Sequence, residues 1–223
     1  MPDINIEYDA VVFDMDGVIF DSEKATMECW MELADKYGIQ NMEKSFMSCL
    51  GTTKTRTKEI MHEIYGNKFL FDEFAKEASL MYHSRYDGGR LPMKKGVVEL
   101  LEFLSSNKKK IALASSTRRS TVFSQLEDAG IIKYFDVVVC GDMVEKSKPA
   151  PDIFLKACEL INVVPERAYA IEDSYNGIRA AYAGNMHAIM VPDLLPPNDE
   201  IEALADTVLE NLLEVREYLK SIK

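Results

Sequence analysis

The sequence predicts an α/β fold: a parallel sheet with helical crossovers, interrupted after its first strand by a small all-helical unit. Three observations carry this. Residues 10–14 form a short apolar run rich in β-branched residues, which reads as a buried strand. From about residue 92 onward, short apolar runs alternate with stretches of helical period, the pattern of strands joined by crossover helices. Between them, residues 22–88 carry helical period and no strong strand.

In chain order, the strand at 10–14 gives way after Asp21-Ser22-Glu23 to a helix. Its face is set by Met27, Trp30, Met31, Ala34 and Tyr37, with Ser22 as N-cap and Gly38 as the stop. Helical patches follow at 43–50, 55–65 and 71–86. Asp87-Gly88-Gly89-Arg90-Leu91-Pro92 is a linker signal. Beyond it come a helix at 96–106, a strand at 110–114, a helix at 118–129 closed by Gly130, and a strand at 135–139. A helix at 151–161, a strand at 168–171, a helix at 175–183 and a strand at 187–191 complete the alternation. Residues 200–222 read as acidic helix and closing segments. The expected division is 1–21 with 92–223 as one domain and 22–91 as the other.

The 223 residues are 47% hydrophobic and 28% charged, enough for a substantial core. The net charge of -11 repels nucleic acid and anionic membrane, so neither is an expected partner. No apolar run reaches the length of a membrane span, and the acidic first residues do not resemble a signal peptide. Cys29, Cys49, Cys140 and Cys158 form no Cys-x-x-Cys pair and have no neighbouring His. Buried free thiols and a cytoplasmic location are the expectation. An anionic substrate would require local positive charge from a metal, a lysine and backbone N–H groups.

Four strand ends carry polar residues suited to chemistry. Asp14 and Asp16 stand two apart, so in extended chain both project to one side, and Gly17 permits a sharp turn. Asp-x-Asp-Gly also occurs in solvated turns. A calcium loop fails on spacing, since Ile19 and Ala25 stand where glycine and glutamate are needed. Ser115-Ser116-Thr117 follows the strand at 110–114, where hydroxyls and free N–H groups either hold a phosphate or cap the next helix. Lys148, beside Pro149 and Pro151, offers a fixed positive charge or is an ordinary surface lysine. Glu172-Asp173-Ser174 ends the strand at 168–171, where adjacent carboxylates suit a hard cation such as Mg²⁺ or cap a helix.

These stretches resemble a known family. Phe13-Asp14-Met15-Asp16-Gly17-Val18, Ala114-Ser115-Ser116, Lys148-Pro149-Ala150-Pro151-Asp152 and Ile171-Glu172-Asp173-Ser174 are similar to the four ordered motifs of the haloacid dehalogenase superfamily. The nearest subgroup contains β-phosphoglucomutase and sugar-phosphate phosphatases. The resemblance implies a doubly wound, Rossmann-like core with a helical cap inserted after its first strand. It implies that Asp14 is a nucleophile forming an aspartyl-phosphate and Asp16 the general acid and base, which must carry a proton for part of the cycle. Ser115 and the backbone at Ser116 would hold phosphate, and Lys148 would neutralise charge. Asp14, the Asp16 backbone carbonyl and Asp173 would hold Mg²⁺, with Glu172 as a ligand or a supporting group.

The resemblance implies a Mg²⁺-dependent phosphatase of a small phosphorylated metabolite, a sugar or polyol phosphate. The chain is expected to be a monomer or weak dimer. Gly51-Thr52-Thr53-Lys54-Thr55-Arg56, above all Thr52, Lys54 and Arg56, is the expected specificity segment of the cap. Two alternatives stand beside this reading: a hexose-phosphate mutase, and a non-catalytic binding or regulatory protein with the same fold. Mutases of the subgroup carry a cap histidine twelve residues past the nucleophile. Here that position is Thr26, which favours a phosphatase.

Overall fold

The computed structural model describes residues 7–52 and 54–222, in two compact units: Met1–Phe20 with Met93–Lys223, and Asp21–Pro92. The first unit is built on six parallel strands: β1 (Ala10–Phe13), β2 (Lys110–Ser115), β3 (Val137–Cys140), β4 (Ala168–Glu172), β5 (His187–Met190) and β6 (Thr207–Val208). Their order in the sheet is β3-β2-β1-β4-β5-β6. That is the doubly wound order, with a switch point between β1 and its neighbour β4.

β1 is apolar throughout because both its edges are paired and both its faces are covered. Phe13 is in register with Leu113 of β2 and Ile171 of β4, so the carboxyl ends of the three central strands are level. Ala10 and Val12 face a cluster with Ala112, Ala114, Ala170 and Ala188 of the neighbouring strands. Small side chains on that face let α7 (Asp152–Ile161) and α8 (Tyr175–Ala183) lie close, through Phe154, Ala157, Ile178 and Ala181. Along a strand neighbours alternate in direction, so Val11 and Phe13 belong to the opposite face. The rings of Phe13 and Phe135 meet edge to face there, 6.2 Å apart. Packed against strand β2 is α5 (Val97–Ser106), with α10 (Leu212–Ser221) behind it, and α6 (Arg119–Asp128) lies against β3. The expected closing segments resolve into α9 (Asp199–Leu204), the two-residue edge strand β6 and α10.

The second unit holds α1 (Ser22–Tyr37), α2 (Met42–Met47), α3 (Lys54–Tyr65) and α4 (Phe71–Tyr86). Trp30 is its centre, edge to face with Phe46, Phe71 and Phe74 at 5.2, 6.1 and 5.4 Å between ring centres. Two expectations for α1 are corrected. Ser22 is the first residue within the helix and is buried; Asp21 takes the cap position. The buried face runs through Ala25, Cys29, Trp30, Leu33 and Ala34, while Tyr37 is exposed and donates its hydroxyl proton to Glu77 at 2.5 Å. Apolar residues fill more than one face of α1, and the stripe with the smaller side chains lets α2 and α4 approach. Gly38 ends the helix in the left-handed conformation, as its position in the sequence indicates.

All four cysteines are buried and free. Among the described residues no helix is long and apolar enough to cross a membrane.

At the amino end of β5, His187 Nδ1 lies 2.9 Å from Asp206 Oδ2, which also accepts from the Ala188 N–H at 3.0 Å. Its hydrogen bond to Asp206 raises the His187 pKa above the ordinary 6.5, against the opposing effect of burial. The folded state therefore binds this proton more tightly than the unfolded chain. The stabilisation is fully present below about pH 6.5 and is lost as pH rises through the folded value. Unfolding free energies from urea titrations of the wild type and His187→Gln, compared from pH 5.5 to 9, should differ by on the order of 0.5 kcal/mol at the acid end and converge at the alkaline end.

Candidate active site

Parallel strands in register bring four chain segments to one edge of the sheet. Asp14 leaves β1 but continues its ladder, its N–H donating to Ile171 O at 2.9 Å. The chain then closes a tight loop: Gly17 N–H donates to Phe20 O at 2.9 Å, and Ile19 N–H to Met15 O at 2.9 Å. Gly17 adopts φ +76, and a Cβ there would overlap the Asp173 carboxylate. Glycine is thus required both by conformation and by the closeness of β4's end.

Lys148 is the centre of the site. Its side chain is 7% exposed, and Nζ donates to Asp14 Oδ1, to Glu172 Oε1 at 2.6 Å and to Ala114 O at 3.0 Å. Those three bonds use all its protons. The ammonium also lies 4.8 Å from the centre of the Phe154 ring. Glu172 is held equally firmly. Oε2 accepts from Asp173 N–H at 3.1 Å, Ser174 N–H at 3.1 Å and Ser174 Oγ at 3.0 Å. Ser174 Oγ in turn accepts from Gly177 N–H at 3.0 Å and so caps α8.

Ser115 is wholly buried and Ser116 is exposed. Ser115 Oγ accepts from Thr117 N–H at 3.1 Å, and Thr117 Oγ1 donates to Asp16 Oδ2 at 2.8 Å. These hydroxyls do not cap the next helix: α6 starts at Arg119 with Arg118 in the cap position. The turn at Ser116 is pressed against Gly141, where a Cβ would collide with the Ser116 backbone.

Oxygens of Asp14, Glu172 and Asp173 all lie within 4.8 Å of one another, and all three residues are buried. Three buried carboxylates therefore converge here, and two of them, Asp14 and Glu172, accept from Lys148. Burial pushes the Asp14 carboxyl well above its usual range; Lys148 opposes this, and Glu172 and Asp16 add to it. Burial also disfavours the Lys148 ammonium, but the Asp14 and Glu172 charges outweigh it and hold its pKa above the usual value. An oxygen-only donor set of buried carboxylates fits a hard divalent cation.

The structure thus brings Asp14, Asp16, Ser115, Lys148, Glu172 and Asp173 to one edge of the α/β unit, with Ser116 in the adjoining turn. Thr52, Lys54 and Arg56 belong to the helical unit. Thr52 Oγ1 donates to Cys49 O at 2.7 Å and lies 2.9 Å from Thr57 Oγ1. Thr52 and Lys54 line a cavity of about 670 Å³ with Trp30, Asp72, Lys76 and Ser79. Arg56 instead reaches Glu59 and Glu63, each at 3.0 Å. Residue 53 of this segment lies outside the described residues. Sequence reasoning gave no separate role to Thr117 or Ser174. The available signal was a hydroxyl one or two residues beyond a strand's polar end.

Comparison with known proteins places these residues in context. The family model described as haloacid dehalogenase-like hydrolase matches residues 11–191. A phosphorylated carbohydrates phosphatase of Thermotoga maritima is 35% identical over 181 residues, covering 81% of this chain and 83% of that protein. A fructose-1-phosphate phosphatase of Escherichia coli is 28% identical, covering 82% of this chain and 96% of that one. Among solved structures, β-phosphoglucomutase from Clostridium difficile is 27% identical with a TM-score of 0.75, covering 96% of each chain.

Gly177 gives the geometry a direct check. A Cβ there would occupy the Glu172 carboxylate. Gly→Ala within a helix ordinarily stabilises by about 0.5–1 kcal/mol. Here Gly177→Ala should reverse the sign and destabilise by about 1–3 kcal/mol, because Glu172 must leave its donors. Urea denaturation of the two proteins reads the sign.

Proposed function

Because the chain belongs to the haloacid dehalogenase-like hydrolases, we propose that it is a Mg²⁺-dependent phosphatase of small phosphate monoesters, sugar or polyol phosphates among them. The observation that carries this is the buried contact of Lys148 with Asp14 and Glu172, beside Asp16 held by Thr117. A carboxylate nucleophile and a phosphate monoester are both anions. The site answers their repulsion with a fully desolvated ammonium fixed on the nucleophile itself.

Asp14 attacks phosphorus, and the bond from phosphorus to the ester oxygen breaks as Asp16 delivers a proton to the departing alkoxide. Thr117 donates to Asp16 Oδ2 and holds that carboxyl in place beside Asp14. Asp16 then takes a proton from the water that attacks the aspartyl-phosphate, releasing phosphate and restoring Asp14. Ser115 Oγ accepts from Thr117 N–H, so its own proton remains to donate to a phosphoryl oxygen, beside the backbone N–H of Ser116. Asp14, the Asp16 backbone carbonyl and Asp173 would hold Mg²⁺, which supplies Lewis-acid neutralisation of phosphoryl charge. Glu172, already accepting from four donors, is assigned to holding Lys148 and the start of α8. An acid at position 16 serves a leaving alkoxide and not a leaving halide, so phosphoryl transfer is favoured over dehalogenation.

The likeness to a β-phosphoglucomutase supports a second reading, a hexose-phosphate mutase. Against it, Thr26 stands where the resemblance calls for histidine, and its hydroxyl donates to Ser22 O at 2.8 Å. The phosphatase names among the relatives favour hydrolysis. The complete set of Asp14, Asp16, Lys148 and Asp173 favours an enzyme over a binding protein of the same fold.

Phosphate release from a panel of phosphomonoesters, with Mg²⁺ and with EDTA, tests the reading. Turnover should require Mg²⁺ and fall by about three orders of magnitude or more in Asp14→Asn, with the fold unchanged. Conversion of β-glucose 1-phosphate to glucose 6-phosphate without phosphate release would establish the mutase instead.

The same reading assigns substrate selection to the helical unit. Lys54 lines its cavity and Arg56 is committed to two glutamates. Lys54→Ala should raise KM for the best sugar phosphate several-fold, roughly 1 kcal/mol, with kcat little changed. Arg56→Ala should leave both constants near wild type. Initial-rate kinetics on the two variants separate them.

A further inference from the structure

Asp193 takes no part in the chemistry described above, and it has an unusual environment. β5 runs beside the end of β4: Met190 is in register with Glu172, and Val191 N–H donates to Glu172 O at 2.7 Å. Two residues on, the Asp193 side chain is 6% exposed. Oδ1 accepts from Lys94 Nζ at 2.5 Å, and Lys94 is itself fixed by its N–H donating to Ile19 O at 2.9 Å. Oδ2 is buried and has no hydrogen-bond partner among the described residues. An oxygen of Asp193 lies within 4.8 Å of one of Asp173.

A buried carboxylate oxygen without a donor is costly, and a second carboxylate at that distance makes it costlier. Lys94 Nζ meets Asp193 at Oδ1 and leaves Oδ2 without a donor. The orphaned acceptor and the repulsion are both relieved by one arrangement. Mg²⁺ dehydrates reluctantly and keeps several of its waters, each of which must donate to acceptors around it. We propose that Asp193 is a positioning residue for the cation: Oδ2 accepts a hydrogen bond from a water of the Mg²⁺ hydration layer and so fixes the ion against Asp173. This rests on the reading that Asp14 and Asp173 hold Mg²⁺, and it adds Asp193, with Lys94 as its anchor, to that site.

The test is direct Mg²⁺ binding to the full-length chain without substrate, by titration calorimetry and by the Mg²⁺-induced rise in unfolding temperature. Asp193→Asn keeps the Lys94 acceptor but turns the second position into a donor. It should weaken Mg²⁺ binding by about 10-fold or more and shrink the Mg²⁺-induced rise, while the unfolding temperature without Mg²⁺ stays near wild type. Should that variant fold poorly, Lys94→Met/Asp193→Leu removes the pair together and should show the same loss of affinity. Wild-type Mg²⁺ affinity in either folded variant would overturn the assignment of Asp193 and leave the Mg²⁺ reading intact. Absence of Mg²⁺ binding in the wild type as well would overturn both.

Discussion

The Lys148 ammonium group, buried between Asp14 and Glu172, is the interaction on which this edge of the sheet depends. Taken alone, two adjacent carboxylates at the end of a buried sheet repel each other and resist desolvation. The lysine makes them tolerable, and it can do so only because its three protons find Asp14, Glu172 and the Ala114 carbonyl together. Those acceptors come from the ends of β1, β4 and β2. Lys148 therefore ties the three central strands at their carboxyl ends as well as holding the Asp14 carboxyl. Its ion pairs are weak evidence of stability, since burial offsets most of the Coulomb gain. They are strong evidence of a site that tolerates a costly charge for chemistry.

Parallel register makes that convergence possible. Phe13, Leu113 and Ile171 are level, so the next residue of each strand enters the same space. Two glycines then allow the chain to come closer than side chains permit. Gly17 leaves room for Asp173, and Gly177 leaves room for Glu172 over the first turn of α8. The site is thus assembled from backbone proximity as much as from its named side chains, and either glycine is as necessary to the geometry as the carboxylate beside it.

Much of this was legible in the sequence, for reasons that differ by element. Strands β1, β2 and β4 announced themselves because fully buried strands are apolar throughout, and their polar termini marked the edge of the sheet. The placing of Asp14, Ser115, Lys148 and Asp173 followed from motif order. The buried face of α1 was legible only in part: Trp30 and Ala34 are buried as the stripe indicates, and the rest of that stripe is not. Met27, Met31 and Tyr37 fit one helical stripe as well as Ala25, Cys29 and Leu33 fit another, and only packing against α2 and α4 decides between them. The Thr117–Asp16 bond, which spans 101 residues, was not legible, nor was the Lys94–Asp193 pair, which spans 99. Contacts between distant segments leave no periodic trace in either one.

Glu172 and Asp173 show why adjacent residues of one chemical type can divide their labour. Along a strand, neighbours project to opposite sides. At the end of β4, Glu172 turns toward Lys148 and the donors at the start of α8, and the next residue stands against Gly17 and the loop after β1. The longer side chain spans the gap to the lysine and accepts four hydrogen bonds. The shorter one lies across the loop after β1, within 4.8 Å of carboxylate oxygens from both Asp14 and Asp193. A residue engaged by four donors has little capacity left for a cation, whereas Asp173 lies close to carboxylates on two sides. The pair read in the sequence as a single acidic motif is, by geometry, one structural anchor and one candidate ligand.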